Sequence, residues 1–123
     1  MKIKLVERMN PADRSQPAKW YANAVNAGKK DLKSIAAGIA GRSSLTRGDI
    51  ENVLSNFVDE LPELLKDGFS VQLGEFGTLR LSLSSEGAEK PEKFNTSNIS
   101  GKVIFTPGAA VKKELSDIAY EQD

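Results

Sequence analysis

Residues 69–83 have the sequence FSVQLGEFGTLRLSL, in which two runs of alternating apolar and polar residues flank a short glycine-containing segment. The apolar members of the two runs are Phe69, Val71 and Leu73, followed by Leu79, Leu81 and Leu83. An alternation with a period of two places successive side chains on opposite faces of a strand. The stretch therefore predicts an antiparallel β-hairpin with one apolar face.

Two amphipathic helices are predicted on the N-terminal side of this hairpin. Asp31 can cap the first helix, and Thr46 can cap the second, because both residue types accept hydrogen bonds from free N–H groups at a helix start. Apolar residues of the second helix recur at spacings of three and four as far as Leu65. Pro62 interrupts this pattern, so we expect either a kink near residues 58–62 or an end of the helix there.

A long polar segment follows the hairpin on its C-terminal side. Residues 84–102 show no periodicity, and their three lysines and three glutamates sum to zero charge. A segment of this kind inside a small domain is usually functional or disordered. Residues 102–105 then predict a short strand. Thr106 and Pro107 predict the start of a last helix, and residues 121–123 are expected to fray.

Residues 1–30 predict a separate β-hairpin, with a first strand around Ile3 and Leu5 and a second one over residues 20–25. This segment has a net charge of +5. Its basic residues are Lys2, Lys4, Arg8, Arg14, Lys19, Lys29 and Lys30. Basic residues next to Trp20 and Tyr21 are typical of a nucleic-acid surface. Alternatively, the hairpin is an extra edge of the sheet whose lysines prevent strand pairing, which we favour because the two aromatic residues are expected to pack on the core.

The composition excludes several classes of function. The chain has 123 residues, no Cys and no His, and equal numbers of basic and acidic residues, 17 each. It therefore has no thiol nucleophile, no imidazole base and no ordinary zinc or other transition-metal site. No enzyme activity, cofactor, metal or small-molecule substrate is expected. The chain has no signal-peptide core and no apolar run near the roughly 18 residues of a membrane helix, so we expect a cytoplasmic protein.

The predicted elements are too few to enclose a core within one chain. Five apolar residues on the second helix and the strands have too few local partners to be buried. These dimer-core candidates are Phe57, Leu61, Phe76, Leu79 and Phe105. A homodimer that shares one core would bury them.

Residues 31–119 resemble the HU/IHF histone-like DNA-binding proteins of bacteria. Residues 71–79 are similar to the glycine-phenylalanine-glycine-threonine-phenylalanine signature of that family, and residues 105–108 match its phenylalanine-x-proline-glycine motif before the last helix. The added N-terminal hairpin resembles the extended HU-like proteins of the Bacteroides group. The resemblance implies an α+β fold that forms an intertwined dimer. Each chain would have two N-terminal helices, a three-stranded antiparallel sheet with a long β-arm, and a C-terminal helix.

The same resemblance implies a domain division and a function. Residues 1–30 would form the hairpin extension, and residues 31–123 an HU-like DNA-binding domain with its arm at 84–102. The protein would bind and bend double-stranded DNA in the nucleoid with little sequence specificity, its arms lying in the minor groove and Pro91 acting as a wedge. The DNA-binding candidates are Lys90, Pro91, Lys93, Lys102, Lys112, Lys113 and Arg80.

The neutral arm supports an alternative function. The arm of the family is rich in arginine and lysine, whereas Glu89 and Glu92 here can neutralise Lys90 and Lys93. The alternative is an HU-fold protein-interaction or structural module with weak or no DNA binding. A helix-turn-helix regulator that uses Arg42 and Arg47 is a third hypothesis.

Overall fold

A computed structural model of the chain describes all residues 1–123. Its elements are β1 (Lys2–Arg8), β2 (Lys19–Ala24), α1 (Leu32–Ala40), α2 (Arg47–Lys66), β3 (Val71–Gln72), β4 (Gly77–Ser84), β5 (Ser100–Pro107), α3 (Ala109–Ser116) and β6 (Glu121–Gln122). They divide into two compact units. Unit 1 comprises Met1–Lys30 and Glu114–Asp123, and unit 2 comprises Asp31–Lys113. No helix is both long enough and apolar enough to span a bilayer.

Unit 1 is a three-stranded sheet in the order β2-β1-β6. β1 and β2 form the expected antiparallel hairpin, in register from the pair Ile3 and Ala24 to the pair Arg8 and Lys19. β6 pairs in parallel with the start of β1, and the backbone N–H of Asp123 donates to the carbonyl oxygen of Ile3 at 2.9 Å. The expectation that residues 121–123 fray is therefore wrong, because β1 supplies them with backbone partners.

Unit 2 begins with the two predicted helices. The Asp31 carboxylate caps α1 by accepting a hydrogen bond from the Ser34 N–H at 2.9 Å, and bonds to Ser34 hold the pKa of this carboxyl below its usual value. Thr46 Oγ1 caps α2 by accepting from the Asp49 N–H at 3.2 Å. α2 continues past Pro62 to Lys66. The proline therefore does not end the helix, since one missing backbone donor leaves the flanking turns intact.

The sheet of unit 2 has the antiparallel order β3-β4-β5. β4 and β5 pair over eight residues each, from Gly77 opposite Pro107 to Ser84 opposite Ser100. Residues 85–99 form no strand and contain two 3₁₀ turns, at Pro91–Lys93 and Thr96–Asn98. The predicted β-arm over residues 84–102 is thus paired only at its two ends.

Two local features account for the turns between β4 and β5. Pro91 has no backbone N–H to donate to a neighbouring strand, and it begins the first turn. The Asn95 side chain accepts a hydrogen bond from the Ser97 N–H at 3.0 Å, which is the local bond that favours a turn over an extended strand. An arm like that of the family was expected because residues 84–102 have nearly the length and the position of that arm. Pro91 and Asn95, however, favour compact turns.

Very little apolar surface is buried within one chain. The buried apolar residues are Ala36, Ile50 and Leu65 alone. The chain exposes 10362 Å², whereas a compact monomer of its mass exposes about 6,450 Å² and two separately folded units of these sizes about 7,700 Å². Most of the apolar face of the second sheet and one side of α2 are left uncovered.

Candidate nucleic-acid interface

One face of the β4–β5 ribbon, the polar face, combines hydroxyl groups with positive charge. Strand alternation and the register place eight residues on it: Thr78, Arg80, Ser82 and Ser84 of β4, and Ser100, Lys102, Ile104 and Thr106 of β5. Arg80 and Lys102 are the only charged residues of the two strands. The sixteen residues of β4 and β5 include no carboxylate, so the polar face carries a net charge of +2.

The geometry of the polar face suits phosphate groups. Lys102 lies opposite Ser82, and Arg80 is two residues from Ser82 on β4, so the two cations are diagonal neighbours at about 7–8 Å between Cα atoms. At the far end of the ribbon, Ser84 Oγ and Ser100 Oγ are hydrogen-bonded at 2.9 Å. Guanidinium, ammonium and hydroxyl groups are the donors that proteins use on phosphate oxygens.

The acidic residues of the arm lie outside the strands. Glu86, Glu89 and Glu92 all belong to residues 85–99, which together with Lys90 and Lys93 carry a net charge of −1. The zero net charge of residues 84–102 therefore conceals two parts of opposite sign. The strand residue Lys102 is positive, and residues 85–99, called the excursion below, are slightly negative. The signal was present in the sequence, because Arg80 and Lys102 occupy polar positions of their strands.

The remaining DNA-binding candidates fall on two other elements. Lys90, Pro91 and Lys93 are exposed at the first 3₁₀ turn of the excursion. Lys112 and Lys113 are exposed on α3, outside the polar face. The fold thus brings Arg80 and Lys102 together on one face, and it places the other five candidates elsewhere.

Four of the five dimer-core candidates lie on or against the apolar side of the ribbon. The rings of Phe76 and Phe105 are in contact, with centroids 5.0 Å apart. Leu61 and Leu79 line an apolar groove of about 400 Å³ between α2 and the apolar face of the sheet. Phe57 is 43% exposed on α2.

No cluster of metal-ligating residues accompanies these surfaces. No group of three or more Asp or Glu residues is placed to hold a metal ion. The arrangement offers cationic and hydroxyl donors on one sheet face and uncovered apolar surface on the other.

Comparisons with known proteins point to one fold. A family model described as HU-HIG, an HU domain fused to wHTH, Ig, or glycine-rich motif, matches residues 1–122. A protein of Bacteroides vulgatus ATCC 8482 assigned as a bacterial DNA-binding protein has a similar structure, with a TM-score of 0.64 and 16% sequence identity. The similarity covers 98% of this chain but 47% of that protein, so the chain spans about half the length of this relative.

A second similar structure is an HU protein of Anabaena crystallised with DNA. Its TM-score is 0.58 at 16% identity, and the match covers 72% of this chain and 100% of the Anabaena chain. No curated protein sequence matches the chain. At such low identities the two structures establish a shared fold, and residue roles have to be argued from this chain itself.

Proposed function

The chain belongs to the HU-HIG family, in which an HU domain is fused to a wHTH, Ig or glycine-rich motif, and from this membership we propose that it binds double-stranded DNA. The similar fold of an HU protein crystallised with DNA supports this proposal. The observation that carries it is the polar face, because Arg80 and Lys102 lie there together without a carboxylate. Such a face attracts the phosphate backbone and reads no base, which agrees with weak sequence specificity.

The binding form is a homodimer. The chain exposes 10362 Å², which exceeds the expectation for two separately folded units by roughly 2,700 Å². For two copies the excess is roughly 5,400 Å², which is at the upper end of the about 2,000–5,000 Å² or more that obligate homodimers bury over both partners, largely with apolar surface. The groove lined by Leu61 and Leu79 and the exposed ring of Phe57 supply that surface, so a second copy completes the core.

The binding mode is architectural and is expected to place the protein in the nucleoid. Two polar faces, one per protomer, hold the duplex by its phosphates. The exposed excursion reaches the minor groove, where Pro91 opens a base step and Lys90 and Lys93 contact the backbone beside it. Lys112 and Lys113 on α3 add further backbone contacts. Binding of this kind bends the duplex and depends on its deformability.

Removing the charge of the polar face tests the proposal. Arg80 and Lys102 of two protomers neutralise about four phosphates, which contributes a slope of about −3.6 to log K against log[salt]. In the variant Arg80→Gln/Lys102→Gln we expect this contribution to disappear. Fluorescence anisotropy with a labelled duplex of ~40 bp at several salt concentrations measures it, with Lys30→Gln/Lys33→Gln at the start of α1 as the charge-matched control.

Two outcomes would contradict this assignment. If the unaltered protein does not bind duplex DNA even at about 50 mM salt, where phosphate contacts are strong, the proposed function is wrong. If the protein binds but the control variant loses as much of the slope as the sheet variant, the interface lies elsewhere.

Pro91→Ala tests the wedge separately. We expect the bend angle of the bound duplex to fall by half or more while the affinity changes less than threefold, because a wedge acts on base stacking and contributes few phosphate contacts. Energy transfer between dyes at the two duplex ends reports the angle, and Ala88→Ser in the same excursion is the control. An unchanged bend would show that Pro91 is an ordinary turn proline.

One observation favours the protein-interaction alternative for the excursion alone. Residues 85–99 have a net charge of −1 and expose Phe94 and Ile99 at the same time. In that case Pro91→Ala and Lys90→Gln would both leave DNA affinity and bending unchanged, and the DNA contacts of unit 2 would be the polar face and the α3 lysines Lys112 and Lys113.

A further inference from the structure

Unit 1 carries a second positive surface, at the end of its hairpin that is remote from β6. Arg8, Lys19 and Tyr21 line a groove of about 310 Å³ together with residues of the connecting loop that include Gln16. No acidic residue lines this hairpin groove. Tyr21 is 48% exposed, so its ring and hydroxyl are open to a ligand.

Arg8 and Lys19 face each other directly across the two strands. Neither residue takes part in an ion pair. The Arg8 side chain extends along the sheet and donates a hydrogen bond to the neutral side chain of Asn23 at 3.1 Å, four residues beyond Lys19 on β2. Both cations line the groove without a carboxylate partner, so an anionic ligand there would supply the missing countercharge.

The acidic residues on and next to the hairpin form no ion pair with Arg8 or Lys19. Asp13 of the connecting loop accepts hydrogen bonds from the Ser15 N–H and hydroxyl, and it does not line the groove. Asp123 pairs with Lys2 at 3.8 Å, at the opposite end of β1. Lys2 and Arg8 are six residues apart on one strand, which is roughly 20 Å, whereas charges in physiological salt are screened over about 8 Å. Glu7 lies on the other face of the sheet, since it is opposite Trp20 in the register.

The edge-protection interpretation accounts for only part of the basic hairpin. β6 covers β1 only at Lys2 and Ile3, so Lys4 and Arg8 lie along an open edge of β1, and Lys19 is the only charged residue of the outer strand β2. The expectation that Trp20 and Tyr21 pack on the core is wrong in the chain, where they are 62% and 48% exposed.

We propose that the hairpin groove binds the phosphate backbone of nucleic acid as a second contact, separate from the polar face of unit 2. This proposal rests on the proposed DNA-binding function and adds a site to it. Arg8 and Lys19 bind one or two phosphate oxygens, and the Tyr21 hydroxyl and ring contact the adjoining sugar or base. Interleaved basic and aromatic side chains are the usual means of holding a nucleic-acid strand without sequence preference.

The variant Arg8→Gln/Lys19→Gln tests the site. Because each protomer then neutralises two fewer phosphates, we expect the slope of log K against log[salt] to become shallower by about 1.8 per protomer. We expect the affinity for a ~40-bp duplex to fall at least tenfold at 100 mM salt. Because the variant breaks no ion pair, its melting temperature should stay close to that of the unaltered protein, as measured by circular dichroism.

Lys29→Gln/Lys30→Gln is the matched control, since it removes the same charge from unit 1 outside the groove. The single variant Lys19→Gln keeps the hydrogen bond between Arg8 and Asn23. It replaces the double variant Arg8→Gln/Lys19→Gln if the double variant does not fold. Tyr21→Leu should weaken binding to single-stranded DNA several-fold with little change in the salt slope, because it removes a stacking surface and no charge.

The outcomes separate the two proposals. A hairpin variant that binds within threefold of the unaltered protein, or no more weakly than the control, overturns the second site and leaves the polar face intact. If Arg80→Gln/Lys102→Gln binds normally and the hairpin variant does not, the second site stands and the polar face is wrong. A protein that binds no duplex DNA at all overturns both.

Discussion

Gly108→Ala is expected to lower the free energy of unfolding by about 3 kcal/mol or more, which is the upper range for overpacking at a site that cannot relax. A Cβ atom at this position would overlap the carbonyl oxygen of Glu75 and lie 2.9 Å from its carbonyl carbon. Both are backbone atoms, so no side-chain rotation can make room. The Gly108 N–H also donates to the carbonyl oxygen of Phe76 at 2.9 Å, which fixes the close approach.

A glycine in open space is the control for this effect. Gly38 lies inside α1, and nothing would come within 4 Å of its Cβ atom. Gly38→Ala should therefore raise stability by up to about 1 kcal/mol, because alanine favours the helix. Chemical denaturation of both variants measures the contrast. Equal stabilities would mean that the contact between Gly108 and Glu75 is absent in solution.

Phe57→Glu is expected to raise the dimer dissociation constant more than a hundredfold, since an unpaired charge buried at an interface costs about 3 kcal/mol or more. Phe57 shares the apolar side of α2 with Ile50 and Leu61 but remains 43% exposed within one chain. Sedimentation equilibrium should give twice the 13.3 kDa of the chain for the unaltered protein and a mass near 13.3 kDa, with loss of structure, for the variant.

Ser55→Glu is the matched control, because it adds the same charge to the polar side of the same helix. We expect this variant to remain dimeric and folded. The melting temperature of the unaltered protein should also rise with concentration, as it does for any dimer that unfolds to separate chains. A concentration-independent melting temperature together with a monomeric mass would contradict the dimer.

Local patterns in the sequence determined most of the elements. The alternation in residues 69–83 and the caps at Asp31 and Thr46 correspond to β4, α1 and α2. These features depend on neighbours within about four residues, so the chain itself contains the information. The motif at residues 105–108 resembled that of the family, and the structure gives its glycine a physical role, because Gly108 fits against the Glu75 backbone.

Pairing between distant residues could not be predicted in the same way. β6 is two residues long and has no pattern of its own, and it forms because β1 offers unpaired backbone groups more than a hundred residues earlier. The excursion at residues 85–99 was expected to continue the ribbon, but local turn bonds at Asn95 and the missing N–H of Pro91 prevent it.

Charge is the property for which sequence and tertiary structure differ most. The sequence determined that basic and acidic residues are equal in number, 17 each, and that the basic ones concentrate in residues 1–30. Only the tertiary structure decided which of them share a face. The register placed Arg80 with Lys102 and Arg8 with Lys19, and β6 brought Asp123 to Lys2. Electrostatic potential depends on separation in space over about 8 Å in physiological salt, and strand pairing sets that separation between residues far apart in the chain.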